Sequence, residues 1–93
     1  MYIGFPLEIS YYVESKIWAK HGISVNEVES SVRIPENYVR KGRGKDLYEI
    51  LSHSPNGRYL FIVLRKMDGT RYRLLTARPM TWNERRYYAG KKR

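Results

Sequence analysis

Between positions 65 and 86 the chain carries six arginines, Arg65, Arg71, Arg73, Arg78, Arg85 and Arg86, against two acidic residues, Asp68 and Glu84. A guanidinium offers a planar fork of donors that matches a phosphate or a carboxylate, so arginines gathered on adjoining elements make a phosphate-handling surface. His21 and His53 add imidazoles that, at an ordinary pKa of about 6.5, can take and return a proton near neutrality. The stretch from Arg71 to Tyr88, RYRLLTARPMTWNERRYY, reads as a basic strand, a bend at Pro79 and a capped basic helix. Arg78 is the leading phosphate candidate, because it stands at the strand end beside that helix; a structural salt bridge to Glu84 is the competing role. Strict alternation puts Tyr72, Leu74, Thr76 and Arg78 on one strand face and Arg71, Arg73, Leu75 and Ala77 on the other. Arg73 is therefore expected behind Arg78, unless a bulge re-aims it.

Charge is distributed unevenly. Residues 1–64 hold eight Lys/Arg and seven Asp/Glu, whereas 65–93 hold ten and two, so nearly all of the net +9 lies in the last third. A one-sided positive field attracts a polyanion: nucleic acid, an acidic membrane surface or an acidic protein. Nine tyrosines and two tryptophans add stacking platforms, which favours single-stranded RNA or DNA over lipid; tyrosine is equally at home in a sheet or core. With no cysteine, disulfides, thiolate metal sites and a cysteine nucleophile are excluded. Histidines about thirty residues apart without helical ligand spacing argue against a metal site, no serine sits in a G-x-S-x-G elbow, and Lys41-Gly42-Arg43-Gly44-Lys45 is not a phosphate-binding P-loop. The expectation is a protein without metal or cofactor. No run approaches a membrane span and the N-terminus lacks a signal-like pattern, so a cytoplasmic location is expected.

The elements that must position these residues follow from local signals. Leu7-Glu8-Ile9 reads as a short strand, and Ser10 caps a helix whose Val13 and Ile17, with Tyr11 and Trp18, are its apolar positions before Gly22 ends it. Ser24-Val25-Asn26-Glu27 is a capping box opening a second helix with Val25, Val28 and Val32 apolar, closed by Pro35. Residues 37–45 suit an edge strand with a frayed end. Leu47 to Ser52 is a strand, Ser54-Pro55-Asn56-Gly57 a turn, and Arg58 to Arg65 the central, doubly covered strand. Asp68-Gly69 turns into the Arg71–Arg78 strand. Thr81-Trp82-Asn83-Glu84 is a second capping box, starting a helix that should run from Trp82 to about Ala89, with Gly90 stopping it and Lys91–Arg93 as a disordered tail. At 93 residues the chain fits one domain with one modest core. The predicted class is α+β: a short strand, two helices, an antiparallel meander of three or four strands, and a C-terminal helix.

LEIS and KHGIS, then GRYLFIVL and LLTARPMTWNERRYY, resemble in order and spacing the BrnT family of toxins. Its members show F-E-W-D near the start, K-H-G-x-S/T at a helix end, a G-R-x-L-F-V-V strand and an I-S-A-R-x-A-T-x-x-E-R-x-x-Y ending. The resemblance covers most of the chain and is weakest over 33–46. It implies a RelE-like fold, ribonuclease activity and a BrnA-type antitoxin partner. Matching positions are Lys20, His21, Gly22, Arg58, Thr76, Ala77, Arg78, Thr81, Glu84, Arg85 and Tyr88. The chain departs with Ser10 and Tyr11 in place of Asp and Pro, Val13 and Ile17 in place of Lys and Asn, and His53 in place of Arg.

Cleaving RNA requires a base for the 2′-OH, cations for the pentacovalent phosphate and an acid for the leaving oxygen, and none of these needs a metal. Arg78, His21, Lys20 and Arg73 are the catalytic candidates; Arg65, Arg71, Arg85, Tyr88 and His53 are candidates for holding RNA, with Tyr88 as a stacking platform or proton donor. Each has a structural alternative. Lys20 and His21 also complement a helix C-terminus, Glu84 is the third residue of a capping box, His53 flanks a turn, and at most one of Arg85 and Arg86 faces the strand. The leading expectation is a metal-independent endoribonuclease toxin. The rivals are a catalytically silent RNA-binding or regulatory module on the same basic face, and a surface for an acidic protein.

Overall fold

A computed structural model describes residues 2–91. Helix α1 (Tyr11–His21) starts at Ser10, whose hydroxyl accepts the Val13 N–H at 3.1 Å, and ends at Gly22 with φ 64°, a left-handed conformation that glycine adopts without a Cβ penalty. The Ile23 N–H returns to the Ile17 carbonyl in a Schellman-type closure. Helix α2 (Val25–Arg33) is capped by Ser24 on the Glu27 N–H. Four strands follow, β1 (Tyr38–Lys41), β2 (Leu47–His53), β3 (Tyr59–Lys66) and β4 (Tyr72–Pro79), and then helix α3 (Trp82–Lys91). The strands form one antiparallel sheet in the order β1-β2-β3-β4. The α+β class and the meander are as expected.

Three local expectations change. The N-terminal strand reduces to one parallel bridge, Glu8 to Arg73, alongside β4. Helix α3 runs through Gly90 to Lys91, so Lys91 is helical; Lys92 and Arg93, the rest of the expected tail, lie outside the described residues. Tyr11 and Trp18 are exposed, at 83% and 62%, while Ile17 is buried and Val13 packs against the core. Helix α1 thus turns its Val13–Ile17 stripe to the sheet, and the aromatic stripe faces solvent.

The sheet is covered on both faces. Helices α1 and α2 lie on one, where Ile17, Ile23, Val28 and Val32 meet Ile50, Leu60, Ile62, Leu64, Leu74 and Ala77. Helix α3 lies on the other, where Tyr88 and Met80 meet Leu51 and Phe61. Arg58 anchors the α1–α2 junction to β3: its guanidinium donates to the Glu27 carboxylate and to the His21 and Gly22 carbonyls at 3.1 and 2.8 Å. Ser52 ties β2 to α2 through a 2.7 Å bond to the Ser31 carbonyl.

Candidate nucleic-acid interface

One irregularity in β4 determines which arginines share a face. Val63 pairs with Thr76, but Leu64 pairs with Leu74, so Leu75 is an extra residue, a β-bulge. Before the bulge Tyr72 and Leu74 point to the α1/α2 core; after it, Ala77 does. Arg73 and Arg78 therefore point the same way, toward the α3 side, as do their β3 partners Arg65 and Phe61. The expectation of opposite faces is corrected: the bulge flips the second half of the strand.

Helix α3 covers only one end of this face. Beyond it the sheet presents Arg65 and Arg73, both exposed, together with half-buried Val63, Thr76 and Arg78. Arg78 stacks 4.1 Å from the Phe61 ring centroid and donates two 2.9 Å bonds to the two oxygens of Glu84. Glu84 also accepts the Thr81 N–H at 2.8 Å, and the Thr81 hydroxyl accepts the Glu84 N–H, so the capping box is formed. Burial pushes the Glu84 carboxyl up, but the bonds from Arg78 and Thr81 outweigh it and hold the group below its ordinary 4.5. Arg73 reaches Glu8 at 3.3 Å; Arg71, in the β3–β4 turn, pairs with both Glu8 and Asp68. Arg65 has no carboxylate partner among the described residues.

Two groups on this flank of α3 escaped the sequence reading. Arg40 of β1 pairs with Glu49 of β2 at 2.7 Å and lies 5.2 Å from the Tyr87 ring centroid. The Tyr87 hydroxyl meets that of Tyr38 at 3.1 Å. That bond first, then Lys91 and Arg40, holds the Tyr87 phenol below its ordinary 10.0, while the same bond raises Tyr38. A sequence signal existed for Tyr87, since it follows Glu84 by three positions on one helical stripe. None existed for Arg40 and Glu49, whose meeting depends on strand register.

The opposite flank of α3 is a cleft of about 220 Å³ lined by Tyr59, Trp82, Arg85, Arg86, Tyr88 and Ala89. Arg85 lies 4.6 Å from the Tyr59 ring centroid. His53 stands at the same sheet end, its ring 6.4 Å from both Tyr59 and Tyr88 and its Nδ1 3.2 Å from the Ser54 carbonyl. Tyr88 is a core residue with no exposed ring surface, its hydroxyl donating to the Glu36 carbonyl at 3.0 Å; burial among Leu51, Phe61 and Met80 leaves no face on which a base can stack.

The remaining candidates lie elsewhere. Lys20 and His21 end α1, whose Ile17 packs on the other side of the sheet, so the expected grouping of both with Arg78 and Arg73 is not formed. Val13 and Ile17, the positions where the BrnT pattern has polar residues, face the core and offer nothing to a ligand. No group of three His, Cys, Asp or Glu side chains able to hold a metal occurs among the described residues, and no described helix is long and apolar enough to cross a membrane.

The architecture defines a small α+β protein with one antiparallel sheet between a helix pair and a single helix. No protein-family model matches the sequence, and no curated protein matches it. The fold, however, is similar to that of the Brucella abortus ribonuclease toxin BrnT, whose crystal structure superposes with a TM-score of 0.66 over 81% of this chain and 95% of that one, at 10% sequence identity. The two chains share a fold, as the motif order had suggested.

Proposed function

We propose that the protein is a toxin-type endoribonuclease that cleaves RNA in the cytoplasm without a metal ion and is held inactive by a BrnA-like antitoxin. The observation that carries this reading is the convergence of Arg65, Arg73 and Arg78 on one open sheet face, in a fold shared with a ribonuclease toxin. Arg78 and Arg73 present guanidinium forks to the scissile phosphate, which displaces the carboxylates of Glu84 and Glu8 and gathers charge as the pentacovalent species forms. In this reading the Tyr87 hydroxyl, whose pKa is lowered chiefly by its bond to Tyr38, supplies the proton transfer. Lys20 and His21 serve the α1 terminus in this scheme, where cations complement the helix dipole.

The test is incubation of purified protein with single-stranded RNA in excess EDTA. Products ending in a 2′,3′-cyclic phosphate, lost when the cut nucleotide is 2′-deoxy, are expected. Intact RNA with and without added divalent cations overturns the reading.

A second reading is supported by the carboxylates already paired with Arg40, Arg73 and Arg78 and by the absence of both histidines from that flank. It is a catalytically silent RNA-binding module, which would retain RNA in a salt-sensitive way and yield no product.

A further inference from the structure

We propose that the cleft on the outer flank of α3 is a base-stacking slot that captures one unpaired nucleobase of single-stranded RNA, with Trp82 as the platform and Arg85 and Arg86 on the adjoining phosphates. The inference rests on RNA as the ligand, and it locates the entry point on the flank opposite to the paired arginines.

Three observations converge here. Trp82 is 69% exposed, and tryptophan presents a large rigid π-face that any base can stack on. In the same cleft, Tyr59 is fixed by edge contacts to His53 and Tyr88 and capped by the Arg85 guanidinium, so part of the cleft lining is itself a cation–π stack that a base can extend. The cleft volume of about 220 Å³ falls below the 300 Å³ or so at which pockets for drug-sized ligands begin; one planar heterocycle suits it better than a whole nucleotide chain.

Electrostatics favour this flank over its neighbour. On the neighbouring face Arg78, Arg73, Arg71 and Arg40 each have a carboxylate partner that a phosphate must displace, which leaves Arg65 as the one cation named there without such a partner among the described residues. Arg85 and Arg86 have none among the described residues, so their field reaches incoming RNA uncancelled. Single strands expose unstacked bases, whereas a duplex hides them. A duplex therefore has only its backbone to offer this cleft.

Trp82 fluorescence tests the slot directly. In a Trp18→Phe background Trp82 is the remaining tryptophan, and a short single-stranded 2′-O-methyl oligoadenylate, which cannot be cleaved, is the probe. Saturable quenching is expected. In the anisotropy of the same strand carrying a fluorescent label, a readout that needs no tryptophan, Trp82→Ala should weaken binding by about tenfold, the scale of one lost base–aromatic stack, Arg85→Ala should weaken it as well, and Trp82→Phe should restore most of it. Absent quenching, a Trp82→Ala effect within about twofold, or equal quenching by the same strand in a duplex would overturn the proposal. Cleavage of unmodified RNA, assayed separately, keeps the two claims distinct. Cleavage without quenching removes the slot alone, and quenching without cleavage removes the nuclease reading alone.

Discussion

Replacing Glu84 with glutamine should move stability and RNA affinity in opposite directions. Glu84 receives two 2.9 Å bonds from Arg78 and a 2.8 Å bond from the Thr81 N–H. Glutamine keeps one acceptor oxygen, so the cap and one Arg78 bond survive while the charge is lost. A fully enclosed bidentate charged pair would contribute a few kcal/mol, but Arg78 and Glu84 side chains are 35% and 17% exposed, and solvent screening brings the loss to about 1 kcal/mol. For a domain of this size that lowers Tm by roughly 4–8 °C. The same carboxylate competes with RNA for Arg78, so removing it should tighten binding by a similar free energy, about fivefold. Urea unfolding followed by circular dichroism, and anisotropy with a non-cleavable single-stranded oligonucleotide, read the two effects at one pH and salt concentration. If stability and affinity fall together, Arg78 is a structural partner of Glu84 and not a phosphate ligand.

Other substitutions test separate parts of the structure. Arg58→Ala should cost about 2–3 kcal/mol in urea unfolding, because it strips the Glu27 carboxylate and the His21 and Gly22 carbonyls of their donor. Glu27 and Glu84 both have folded pKa values below 4.5, Glu27 chiefly through its bond from Arg58; the unfolded chain therefore binds more protons in acid. Their contribution to stability is complete above about pH 4.5 and disappears as pH falls through the lowered values, and in Glu27→Gln/Glu84→Gln the stability curve should flatten in that acid range. The hydrogen-bonded Tyr38–Tyr87 pair should release its first proton below the ordinary 10.0 in an alkaline absorbance titration, and that step should vanish in Tyr87→Phe.

Local chemistry made most of the fold legible. Ser10, Ser24 and the Thr81–Glu84 box announced three helix starts, and Gly22 and Gly57 supplied turn conformations that need positive φ. The face of β4 was not legible from strict alternation, because one extra residue reverses everything after it. The Leu74-Leu75 doublet, two apolar residues in succession within an alternating strand, was the available sign of that bulge. In α1 two apolar stripes competed, and only packing against Leu74 and Ala77 selects Val13–Ile17 over Tyr11–Trp18. Tyr88 matched the family pattern as a possible contact, yet its place in the α3 seam is set by the sheet beneath it. Pairings distant in sequence, such as Glu8 with Arg73 and Arg40 with Glu49, carried no local signal.

The central claim is that RNA is processed on the α3 side of the sheet. The most direct measurement compares cleavage rates of a single-stranded RNA by Arg73→Ala and Arg78→Ala with those by Lys20→Ala and His21→Ala, each shown to be folded. The account predicts that the first pair lose about a hundredfold, as expected when a transition-state donor is removed, while the second pair stay within about twofold of the parent. Loss confined to Lys20→Ala and His21→Ala would contradict it and move the chemistry to the other face.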